Sequence, residues 1–162
     1  MAVQPTNIIV GAATVRVDGV DVGGTQGGVT FRKNTDWVDI DADQVAGVIK
    51  KIAAYERAFV QFVMLESTFA NMQMAMNEPD VNLGGSSLVF GSAAPTPQEH
   101  TVTLTGVGIN GAVRTYTFYR AVSIDEVEHM AGARDQAGMV PVNLELLKDP
   151  SNGNKFGYAV DV

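Results

Sequence analysis

An Asn110-Gly111 pair set between two β-rich runs constrains this chain more than any other feature. Thr101–Ile109 reads TVTLTGVGI and Ala112–Val122 reads AVRTYTFYRAV. A two-residue type I′ turn needs positive φ at both central positions, which Asn-Gly supplies, so the segment is read as an antiparallel hairpin. The same stretch, Gly106-Val107-Gly108-Ile109-Asn110-Gly111, also spells the dinucleotide fingerprint GxGxxG. That fingerprint requires a helix after the glycines to present backbone N–H groups to a pyrophosphate. A strand follows instead, so the hairpin reading prevails.

The rest of the chain is punctuated in the same way. Val140, Val142, Leu144 and Leu146 share one strand face, with Asn143 and Glu145 on the other. Ser151-Asn152-Gly153-Asn154 then turns the chain into Lys155–Val162. Asp18-Gly19 joins Thr14–Val17 to Val20–Val22, and Gly27-Gly28 opens a strand over Val29–Arg32. In Ala53–Leu65, a long strand is favoured over a helix because Phe59–Met64 is β-branched and aromatic, with Ala58, Val60, Phe62 and Met64 on one side. One helix is predicted over Ser67–Asn77. Glu66 and Ser67 cap its start, Phe69, Met72 and Met76 form its packing stripe, and Pro79 ends it. Met74 falls off that stripe, facing a partner. Leu83–Gln98 reads as a loop.

Strands therefore cluster before and after one helix, without βα alternation. The expected fold is mainly β: an antiparallel β-sandwich or curled barrel with one flanking α-helix, a single domain over 1–162 with a mobile segment at about 1–10.

Composition narrows the function classes. The formal charge of -7 argues against a phosphate-gripping nucleic-acid binder and against docking on an anionic membrane. There is no Cys, so no disulfide or thiolate chemistry is available. Neither a signal peptide nor a membrane helix is expected, which implies synthesis in a cytoplasm. Charged residues make up only 18% and Gly numbers 17, which suggests tight turns and a surface partly covered by something else. Candidate chemistry is thin. Glu126-x-x-His129, flanked by Asp125 and Glu128, has metal-ligand spacing but lacks a second such pair, since the remaining histidine, His100, has only Glu99 beside it. No G-x-S-x-G elbow is present, and Gly84-Gly85-Ser86-Ser87 reads as a linker. No catalytic residue, metal or cofactor is expected.

Asp36, Asp39, Asp41 and Asp43 surround Trp37 and Ile40, and Lys50-Lys51 follows. The run reads as a polar loop or as the exposed side of an edge strand, where charge discourages unwanted pairing. These six residues are the candidate subunit and ring interface, acid meeting base on a neighbouring copy.

Four pieces in order carry a family resemblance. Val17–Phe31 (VDGVDVGGTQGGVTF) is a short hairpin leading through Gly, Thr, Gly-Gly-Val into a strand; Phe59–Met76 passes from strand to helix through Glu66; Val122–Glu126 follows the strand Tyr116–Arg120; and Val140–Asp149 is a closing strand with an acidic turn, followed by Phe156–Val160. In these the chain resembles the tail tube proteins of long-tailed bacteriophages. It differs from them in a compact connection over Trp37–Ile52 and in having no added C-terminal domain. The resemblance implies a structural virion protein, not an enzyme, forming homohexameric rings that stack into a tail tube. Its partners would be further copies of itself, a tape measure protein, and tail terminator and distal tail proteins, with DNA passing transiently through an acidic lumen. Rival readings are another virion β-protein, such as a capsid decoration or head–tail connector subunit, and a small-molecule-binding β-barrel.

Overall fold

The structure is a computed structural model describing residues 13–78, 81–82, 87–91, 96–108, 111–124, 126–128 and 138–161. In chain order the elements are β1 (Thr14–Val17), β2 (Val20–Asp21), β3 (Thr25–Ala42), β4 (Val45–Met64), α1 (Phe69–Met76), β5 (Val81–Asn82), β6 (Ser87–Leu88), β7 (His100–Val107), β8 (Val113–Ser123), β9 (Val140–Leu147) and β10 (Gly157–Asp161). The main sheet is antiparallel and runs β2-β1-β7-β8-β9-β4-β3, with β10 branching from β8. It curls without closing into a barrel.

Period-two burial builds the core. Ala58, Val60, Phe62 and Met64 of β4 are buried, as are Val140, Val142, Leu144 and Leu146 of β9. The two strands pair with Val60 opposite Leu144 and Phe62 opposite Val142. Val15, Val17, Val102, Leu104 and Phe118 extend the same cluster across β1, β7 and β8. Asp18 and Gly19, with φ of 52° and 80°, make the turn between β1 and β2. Residues 109–110 lie outside the described residues; β7 and β8 pair up to Val107 opposite Val113.

Helix α1 starts later than predicted. Its N-cap is Thr68, whose Oγ1 accepts from the Asn71 amide at 3.2 Å, and not Glu66 or Ser67. The Asn71 side chain donates to the carbonyls of Val22 and Glu66 at 2.9 and 2.8 Å, fixing the helix to the strands before it. The packing stripe also differs. Met72, Met74 and Ala75 are buried, Met76 is half-buried, and Phe69 is 40% exposed. The helix is turned by roughly a third of a turn from the expected stripe. Ser123 Oγ donates to the Ala75 carbonyl at 2.5 Å, and this close approach brings small Ala75 to the middle of the buried arc. Met74 therefore packs in the core and does not face a partner.

Within the predicted loop over Leu83–Gln98, β6 pairs with β5, Leu88 opposite Val81. Residues 83–86 and 92–95, which include the Gly84-Gly85-Ser86 stretch, lie outside the described residues, as do 1–12, Asp125 and His129.

Candidate assembly surface

The largest departure from expectation is β3–β4. In place of a compact connection over Trp37–Ile52, the two strands run on as one hairpin, pairing from Thr25 opposite Met64 to Ala42 opposite Val45. β-branched residues on both sides of 43–44 favour this: Val38 and Ile40 alternate on one strand, and Val45, Val48, Ile49 and Ile52 lie on the other. Register shifts between Asp36 and Trp37, and again beyond Ile40, mark bulges that bend the ribbon.

Only the proximal part of β4, Ala58–Met64, pairs with β9, and β3 is the outer strand of the sheet. Beyond that point the hairpin leaves the core. No residue from 36 to 57 is buried. Trp37 is 59% exposed and Val45 55%, and Val38, Val48, Ile49, Ile52 and Tyr55 are exposed as well. A bare two-stranded ribbon is marginal in water, and an apolar ribbon with free edges invites pairing with another chain. Contiguous exposed apolar surface of this kind marks an interaction site.

All six predicted interface residues lie on this distal hairpin. Asp36 stands opposite Tyr55, Asp39 opposite Lys51, Ile40 opposite Lys50 and Asp41 opposite Val48, with Asp43 at the turn. The polar-loop alternative is thereby replaced by an edge strand. Asp39 and Lys51 already satisfy each other, with Nζ 2.6 Å from Oδ1. Asp41, Asp43 and Lys50 have no ion-pair partner among the described residues. The apolar companions of these charges, Val45, Val48, Ile49 and Ile52, follow a helix-like spacing, so no period-two pattern in the sequence marks this stretch as a strand.

A groove of about 390 Å³ opens where the hairpin leaves the sheet. Phe31, Tyr116, Phe118, Phe156 and Tyr158 line it, together with Lys33, Lys148, Lys155 and Glu56. Glu56 bridges two lysines, at 2.5 Å from Lys33 Nζ and 2.7 Å from Lys148 Nζ. Hydrogen bonds from Lys148 and then Lys33 hold its carboxyl down to about 2. Strand β10 forms another wall. Arg114 clamps its end by donating from Nε and Nη2 to the Asp161 carboxylate at 2.5 and 2.7 Å, which also holds the Asp161 carboxyl below its usual range.

Of the residues weighed for metal or catalytic chemistry, His100 and Glu99 have structural partners. His100 Nδ1 lies 2.7 Å from Asp18 Oδ2, and Glu99 accepts from Arg120 Nε and Nη2 at 2.6 and 2.5 Å. Among the described residues no three His, Asp or Glu side chains gather as a metal site, and no helix is long and apolar enough to cross a membrane. No protein-family model matches this chain, and a search of the curated proteins finds no match.

Proposed function

We propose that this chain is a structural subunit that assembles with its own copies through the β3–β4 hairpin, in the manner of a tail tube: homohexameric rings stacked into a hollow conduit in a phage virion. The observation that carries this reading is the distal hairpin, 36–57, which has no buried residue and is rich in exposed apolar side chains. A ribbon of this length gains stability only when its faces and edges are covered. Sister copies supply such cover symmetrically, and ring closure removes open edges. The net charge of -7 suits a conduit past which DNA slides. The tape measure protein, tail terminator and distal tail proteins belong to the same proposal. A small-molecule barrel is less well supported, since the sheet remains open.

Sedimentation and negative-stain microscopy of the purified chain over rising concentration test the reading. Rings and hollow rods are the expected products. A monodisperse monomer at every concentration removes the basis for it.

A further inference from the structure

Resting on that reading of self-assembly, we propose that the acceptor for the hairpin tip is the aromatic groove beside β10 on a second copy, with Asp41 and Asp43 of one chain meeting Lys148 and Lys155 of the next.

Charge complementarity selects this pair of surfaces. In the groove three lysines face a single carboxylate, since Lys33 and Lys148 share Glu56 and Lys155 has no ion-pair partner among the described residues. On the hairpin from Asp36 to Ile52 four aspartates stand against two lysines, one of which is spent on Asp39. Excess positive charge on one surface and excess negative charge on the other steer encounter and set register. Apolar character matches too, aromatic rings in the groove and Val38, Ile40 and Val45 near the tip. Strand β10 adds a backbone contribution: among the described residues it pairs only with β8, so its second edge can take up an added strand.

A chain cannot fill its own groove this way. Lys33 lines the groove and Asp43 lies ten residues further along an extended strand, roughly 30 Å away at about 3.3 Å per residue. Folding back would break the β3–β4 ladder. Tip and groove are different patches of one surface, so the contact is heterologous, the type that closes rings or extends filaments.

The test mixes two defective chains. One carries D41K and D43K, leaving its groove intact. The other carries K155E and A159W, leaving its tip intact. Each alone is expected to self-associate at least about tenfold more weakly than the unmodified chain, with an unchanged far-ultraviolet circular dichroism spectrum. Mixed, they are expected to form a one-to-one heterodimer that grows no further, read by sedimentation velocity. If the unmodified chain assembles while the mixture stays monomeric, or while either variant assembles normally, the groove is not the acceptor and self-assembly itself still stands. An unmodified chain that never associates overturns both.

Discussion

Phe31 on the outer strand β3 rests against Phe118 on β8, their ring centroids 5.0 Å apart and tilted by 34°, although β4 and β9 separate the two strands in the sheet. The sheet is therefore curled enough for its edge to touch its middle, and this contact forms the floor of the groove from which the hairpin departs. Tilted aromatic pairs contribute about 0.5–1.5 kcal/mol beyond the area they bury. A double-mutant cycle of F31L and F118L, followed by urea unfolding, is expected to give a coupling energy in that range. Zero coupling means that the curl is held elsewhere.

Gly157 lies so close to β8 that a Cβ there would meet the Thr117 carbonyl oxygen at 2.0 Å and Phe118 Cα at 2.9 Å. Both are backbone atoms, which cannot swing aside. G157A is expected to destabilise by about 1–3 kcal/mol, the range for overpacking, and to raise amide exchange across Gly157–Asp161. The exposed neighbouring substitution A159S serves as control, with an effect within about 0.5 kcal/mol. Equal exchange in both variants refutes the tight seating of β10.

Much of this fold was legible in the sequence. Alternation with period two marked the buried faces of β4 and β9, because both strands bury one side and wet the other. The order of strands around one helix followed from turn residues. The helix phase was misread, because Phe69 and Met76 outweigh Ala75 in any hydrophobic count, whereas close backbone approach at Ser123 selects the small residue. The distal hairpin was misread for a different reason. Its charges suggested solvent, and nothing local distinguishes an apolar strand buried by its own chain from one awaiting a neighbour. All six predicted interface residues still fall on that hairpin, since Asp36, Asp39, Asp41 and Asp43 sit at the edge where charge suppresses indiscriminate pairing.

The Glu56 carboxyl should impose a pH dependence on stability. Lys148 and Lys33 lower it from 4.5 to about 2 in the folded chain. A depressed carboxylate contributes fully above its unfolded value, and that contribution is lost as pH falls from about 4.5 towards 2. E56Q is expected to be less stable than the parent at pH 7 and to converge with it near pH 2. Thermal unfolding at several pH values reads the convergence. A constant gap between the two chains across this window contradicts the ion-pair assignment. Because the group is solvent-accessible, raising salt at pH 7 is expected to narrow the gap as well.

Val38 and Ile52 face each other across the hairpin, both exposed, far from the buried cluster. Replacing both with Asp removes apolar surface from the ribbon and sets like charges directly opposite, which weakens the local pairing. The core loses no contact, so global stability is expected to fall by less than about 1 kcal/mol, as surface substitutions do. Assembly is expected to fail, because the same two side chains are among those that a neighbouring copy must cover. Urea unfolding and sedimentation velocity on one sample separate the two effects. Should V38D/I52D unfold with a loss of several kcal/mol, the distal hairpin is already packed within the isolated chain. Rods of normal length from a normally folded variant mean instead that copies meet through a different surface.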